Sequence, residues 1–138
     1  MPSQGGLITL LDTTTITTAV SAQTGAVALV EGLRDLLVEA IFTWGSGGTT
    51  AKFWVQTRTK GGTWRDIMSL AFTTSSATKW SKVSIGIGLA AARTASDAAL
   101  ADDTILDGFL GDEVRLKYTT TGTYADSTTV KVLASAKR

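Results

Sequence analysis

RDLLVEAIFTWGSGGTTAKFWVQTR, residues 34–58, decides the fold. In its first half Leu36, Val38, Ala40, Phe42 and Trp44 fall on one side of a period-two alternation, and in its second half Ala51, Phe53, Val55 and Thr57 do the same. This is the signature of half-buried β-strands, whose successive side chains point to opposite faces. Between the halves lies Gly45-Ser46-Gly47-Gly48, which reads as a flexible turn. The stretch is therefore expected to be a hairpin that supplies the core of one sheet. The second run also sets Lys52, Trp54, Gln56 and Arg58 on its other side, and an indole among long polar side chains is expected to face solvent or a partner.

The same alternation extends outward from this stretch. Thr13 to Val20 reads as a threonine-rich outer strand and Ala26 to Val30 as a short apolar one. Residues 1–12 form an N-terminal arm with an apolar cluster, Leu7, Ile8, Leu10 and Leu11, read either as an edge strand or as an arm that docks on a neighbouring subunit. Downstream, Gly61-Gly62 is expected to close a tight hairpin, followed by a strand in which Trp64, Met68, Leu70 and Phe72 share a side. Lys79 to Ile87 sets Val83, Ile85 and Ile87 inward and Trp80, Lys82 and Ser84 outward. Val114, Leu116 and Tyr118, then Val130, Val132 and Ala134, complete the inner set.

Residues 88–111 break the pattern, being alanine-rich and irregular. They read as a long crossover loop whose Ile105, Leu106, Phe109 and Leu110 either plug the end of the domain or face a partner. About eight short strands with one long crossover predict an all-β chain, a single-domain jelly-roll-like β-sandwich of antiparallel strands over residues 1–138. Immunoglobulin-like connections would share the alternation, and the crossover is what favours the jelly roll.

Composition narrows the function. The chain has 138 residues with no cysteine and no histidine, so disulfides, thiolate metal sites and the usual general base near neutral pH are all missing. Thirteen basic against twelve acidic residues leave a net charge of +1, too small a field to hold nucleic acid or an anionic membrane. The opening MPSQGGLITLLD lacks a charged start followed by a continuous apolar run, so neither a secretion signal nor a membrane span is expected. Asp97, Asp102, Asp103, Asp107, Asp112 and Glu113 crowd one region. In DDTILDG, however, Thr104, Ile105 and Leu106 interrupt the acidic residues where a calcium loop needs alternate oxygen ligands, so turn-making and capping carboxylates are expected. No enzyme, catalytic residue, cofactor or metal is expected.

The four tryptophans are the remaining signal. Trp44 and Trp64 lie in register with apolar faces and are expected in the core, whereas Trp54 and Trp80 lie beside Lys52, Arg58 and Lys82. Exposed aromatic and basic pairs mark binding surfaces, where a ring stacks on a sugar or anchors in a protein pocket, unless a second layer of the same chain covers them.

TWRDIMSLAFTTSSATKWSKVS at 63–84 and DDTILDGFLGDEVRLKYTTTGTYADSTTVKV at 102–132 resemble the jelly-roll cement, or decoration, proteins of short-tailed double-stranded DNA phage capsids, over about residues 36–134. The resemblance implies a virion structural protein, made in the cytoplasm of a bacterial host, that binds the capsid outer surface and bridges neighbouring major capsid proteins as a homodimer. Shell contacts are then expected on Leu7, Ile8, Leu10, Leu11, Ile105, Leu106 and Phe109, and self-association on Trp54, Arg58, Trp80 and Lys82. The alternative is a carbohydrate-binding module or a receptor-binding, tail-associated β-sandwich domain that uses the same tryptophans.

Overall fold

A computed structural model describes residues 6–86 and 91–138, and every regular element among them is a β-strand. The front sheet has the order β1 (Gly6–Thr15), β11 (Thr129–Lys137), β4 (Asp35–Thr43), β8 (Ala77–Ser84). The back sheet runs β2 (Val20–Thr24), β9 (Glu113–Thr121), β6 (Thr50–Arg58), β7 (Arg65–Phe72), with β3 (Ala28–Leu29) also paired to β9. Two short strands, β5 (Ser46–Gly47) and β10 (Tyr124–Ala125), pair with each other.

The pairings are antiparallel and nested: β1 with β11, β2 with β9, β4 with β8, β6 with β7. Nested pairs make one long antiparallel ribbon, and here successive pairs fall alternately in the front and back sheets. Pairing of β11 with β4 and of β9 with β6 then completes each sheet. The result is the all-β, jelly-roll-like sandwich expected from the alternation, with its long crossover between β8 and β9.

The inward sets follow the period-two reading. Leu36, Val38, Ala40 and Phe42 of β4 meet Ala51, Phe53 and Val55 of β6, with Val83, Val114, Leu116, Val130, Val132 and Ala134 around them, all buried. Phe42 of β4 stacks on Phe72 of β7 at 5.0 Å between centroids and ties the two sheets together at that end. The strand from Arg65 carries a bulge, since Val55 opposes Met68 while Gln56 opposes Asp66. The extra residue, Ile67, is how Asp66 and Met68 come to serve opposite faces.

Four expectations need correction. The 34–58 stretch is not a hairpin: β4 and β6 belong to different sheets, and Gly45–Gly48 carries the chain across the sandwich. Alternation cannot separate these cases, because strands in one sheet or in two facing sheets bury the same residues. One local bond and two contacts remote in sequence pin the arc: Trp44 Nε1 donates to the Gly47 carbonyl, Ser46 and Gly47 pair with β10, and a Cβ at Gly45 would collide with the Asp126 carbonyl. Secondly, Gly61-Gly62 lies within a longer connection, residues 59–64, and does not make a two-residue turn. Thirdly, the strand expected over Thr13–Val20 is divided, β1 ending at Thr15 and β2 starting at Val20; of the two readings of the N-terminal segment the edge strand holds from Gly6 on, because β1 pairs with β11 and buries Leu10 in the core, and residues 1–5 lie outside the described residues. Finally, Ile85 follows the end of β8 and is partly exposed, and Ile87 lies outside the described residues.

Candidate functional site

The two outer faces of the sandwich are treated differently. On the back sheet, Lys52, Trp54, Gln56 and Arg58 point outward as the alternation requires, yet Trp54 and Gln56 are buried. The crossover covers them. Its central segment is held by Asp66, whose Oδ1 accepts the Ala98 N–H and Gln56 Nε2 and whose Oδ2 accepts the N–H groups of Ala99 and Leu100. Trp54 Nε1 donates to the Leu100 carbonyl at 3.0 Å beneath this latch. Trp54 is therefore not available to a partner, contrary to the sequence expectation: a layer of the same chain covers it.

A polar network continues from the latch. Gln56 Nε2 also donates to Asp97, which pairs with Lys117 at 2.8 Å, and Gln56 Oε1 accepts from Arg115 Nε. Hydrogen bonds from Lys117 and Gln56 hold the Asp97 carboxyl below its ordinary pKa. Burial lowers the pKa of Arg115, opposed by Asp97 and reinforced by Arg58. The Arg58 and Arg115 guanidiniums both lie over the Trp64 ring, 4.6 and 4.4 Å from its centroid, and Arg58 in turn pairs with Glu113. Trp64 thus sits half-buried on the back face rather than in the core. It precedes β7, where the bulge no longer lets parity from Met68 predict its side. Trp44 is likewise half-buried, past the end of β4.

The end of the crossover seals the edge of β7. Ile105 bridges Met68, Ser69 donates to the Thr104 carbonyl, and the Leu106 N–H donates to the Ile67 carbonyl. Phe109 stacks under the Arg65 guanidinium. Ile105, Leu106 and Phe109 are partly buried against the domain's own core and edge, which is the plug reading of the loop. The crowded carboxylates are spent one by one: Asp102 pairs with Lys52, Asp103 with Lys79, Asp107 accepts from Ser84 N, and Asp112 from Lys60 N. Burial raises the Asp103 pKa, but bonds from Lys79 and the Ala71 N–H outweigh it, so the net direction is down.

Among the described residues nothing covers the front sheet's outer face. Trp80 is 68% exposed, Leu7 73% and Leu37 39%. Register sets Trp80, Glu39, Leu133 and Thr9 in one row across β8, β4, β11 and β1, and Lys82, Leu37, Ser135 and Leu7 in the next. Ile41 and Leu133 are half-buried beside them. Of the expected contact residues, this face brings together Leu7, Trp80 and Lys82; Leu10 and Trp54 are buried, and Arg58 is engaged on the opposite face. Leu37 and Leu133 were missed, although parity with Leu36 and Val132 already placed both outward.

Clefts are small. Two clefts among the described residues hold about 150 and 220 Å³, one lined by Arg65, Leu106 and Phe109, the other by Lys52 and Lys79. Both fall below the roughly 300 Å³ at which small-molecule sites begin. Comparison with protein-family models, with curated proteins and with solved structures finds no match.

Proposed function

We propose that this chain is a virion structural protein: a cement, or decoration, protein that binds the outer surface of a tailed-phage capsid and stabilises it by bridging neighbouring major capsid proteins. The observation that carries this reading is the asymmetry of the two outer faces. The back face is closed by the chain's own crossover, while the front face leaves Leu7, Leu37 and Trp80 in water, framed by Lys82 and Glu39. Exposed apolar rows with a polar frame mark protein contact surfaces. A β-sandwich with such a face suits that task, since a shell is reinforced by interface area repeated over many copies.

The shell contact is assigned to this front face and not to the crossover, whose apolar residues serve its own edge. Self-association through Trp80, as the resemblance implies, belongs to the same reading. The carbohydrate-binding alternative is weaker than the sequence made it, because Trp54 is covered and Trp80 is left as a lone exposed ring.

The test is co-sedimentation of the purified chain with expanded short-tailed phage shells stripped of their decoration protein. Saturable binding that raises the shell's disruption temperature, and that Leu37→Glu abolishes while leaving the fold intact, is the expected result. Absence of binding to every shell tried, together with glycan binding that Trp80→Ala removes, would overturn the proposal in favour of a carbohydrate-binding module.

A further inference from the structure

Every sheet edge offers unpaired N–H and C=O groups to another strand, and folded domains blunt such edges. Three of the four here are blunted. The register of β1 against β11 breaks twice, the outer edge of β9 is divided between β2 and β3, and β7 is sealed by the crossover. The fourth, β8, keeps an unbroken register with β4 from Ala77 to Ser84. Ile85 gives its N–H to the Arg34 carbonyl, toward β4, whereas Ser84 gives its N–H to Asp107 Oδ1, away from it. Alternation then turns the main-chain groups of Thr78, Trp80 and Lys82 away from β4. Asp107 closes the edge at Ser84, so among the described residues the open window is Thr78–Lys82, with Trp80 at its centre.

We propose that two copies of this chain join at this edge, β8 against β8 and antiparallel, with the two-fold axis passing between the two Trp80 residues. The four-stranded front sheet becomes one continuous sheet across the pair. A window centred on Trp80 is self-complementary in one register: Trp80 opposes Trp80, and Thr78 opposes Lys82, for about six main-chain hydrogen bonds. Lys79 then opposes Ser81, so no like charges face each other directly.

The flank of β8 is tied to the crossover at two points: Lys79 bonds Asp103 and the Ala71 carbonyl on its inner side, and the Ser84 N–H bonds Asp107 at its outer end. A second copy that pairs along Thr78–Lys82 therefore meets this part of the crossover as well as the strand. Pairing also sets the two bare front faces side by side. The inference deepens the self-association in the proposed function, but its test needs no shell, so it can fail while shell binding stands.

The chain has no cysteine, which makes the register directly readable. Opposed Cα atoms at a hydrogen-bonded antiparallel pair lie about 5.5 Å apart, within disulfide range. Trp80→Cys is expected to give a covalent dimer under mild oxidation. Thr78→Cys is expected to give none, because its copy lies four residues along, roughly 13 Å away. The unmodified chain should sediment at twice its 14.4 kDa mass, and Thr78→Pro, which removes an outward N–H without breaking a β4 bond, should be a folded monomer. A wild-type chain that stays monomeric at micromolar concentration, including one that captures a strand of another protein instead, overturns the inference. Cross-linking by Thr78→Cys as fast as by Trp80→Cys overturns it equally, without relying on the proline variant.

Discussion

Replacing Asp66 should release the crossover without unfolding the sandwich. Its carboxylate is buried and takes four hydrogen bonds: from Gln56 Nε2 and the N–H groups of Ala98 and Ala99 at 2.9 Å, and from Leu100 N at 3.1 Å. Bonds to a charged group contribute about 1.5–3 kcal/mol each, but their sum overstates the loss, because Ala99 is exposed and its N–H rehydrates once the segment lifts. Removing the carboxylate also removes the cost of burying it. Asp66→Ala is therefore expected to cost about 3–4 kcal/mol, the range for breaking a buried charged network. Asp66→Asn keeps the volume but turns an amide nitrogen toward N–H donors, and about half that loss is expected. The energy should appear locally, since the β-ladders do not involve this side chain. Arg93 is an exposed trypsin site on the crossover, and a 3 kcal/mol easier opening raises its cleavage rate about a hundredfold when opening precedes cleavage. Tryptophan emission should shift to the red as Trp54 meets water. Unchanged cleavage at Arg93 with a urea midpoint equivalent to less than about 0.5 kcal/mol of loss would refute the latch.

Three other outcomes follow from the same contacts. Tyr124 is buried, edge-on to Phe42, and donates to the Thr73 carbonyl at 2.8 Å; Tyr124→Phe should cost about 1 kcal/mol in urea unfolding, and a neutral result would mean water already serves that carbonyl. Trp64→Ala removes the ring that both Arg58 and Arg115 contact and should cost about 1–2 kcal/mol at low salt, so a loss below about 0.3 kcal/mol would make these contacts incidental. Asp97 and Asp103 titrate lower in the fold than in the unfolded chain, so their stabilisation is complete above about pH 4 and is lost as pH falls through the folded values. Amide exchange in residues 96–106 should accelerate below pH 4 relative to the core strands after correction for intrinsic rates, and a uniform ratio would count against it.

Most strand positions and inward faces were legible because a half-buried strand needs period two, which β4 and β11 keep from end to end and β6 and β9 keep on their inward side through Ala51, Phe53 and Val55 and through Val114 and Leu116. Partnership was not legible. The glycine arc reads as a hairpin because burial parity is identical for strands side by side and strands face to face, and only contacts remote in sequence, such as Gly45 against Asp126, tell them apart. Trp64 was misplaced by one inserted residue, since a bulge at Ile67 resets parity. Trp54 was assigned to the correct face and the wrong environment: a strand's alternation says which way a side chain points, and nothing in it says that a loop more than forty residues away will lie on top.

That last distinction bears on how the molecule divides its surface. A two-sheet sandwich buries one face of each sheet and leaves two outside, and the polarity of those outer faces is similar in sequence: Lys52-Trp54-Gln56-Arg58 on one, Thr78-Trp80-Lys82 on the other. The back face recruits the crossover because it holds a buried carboxylate, Asp66, able to satisfy three consecutive backbone donors that a loop would otherwise leave to solvent. No such carboxylate is buried on the front face, where Asp35 and Glu39 stay partly exposed, and no loop among the described residues is drawn over it. Moving the latch would therefore move the covered face. If Asp66→Ala frees the crossover, the variant acquires a second exposed tryptophan surface, and its self-association in solution should become less specific than that of the wild type, with cross-linked species no longer confined to the Trp80→Cys register. Retention of a single cross-linked register in the Asp66→Ala, Trp80→Cys double variant would show that the front edge alone determines how copies meet.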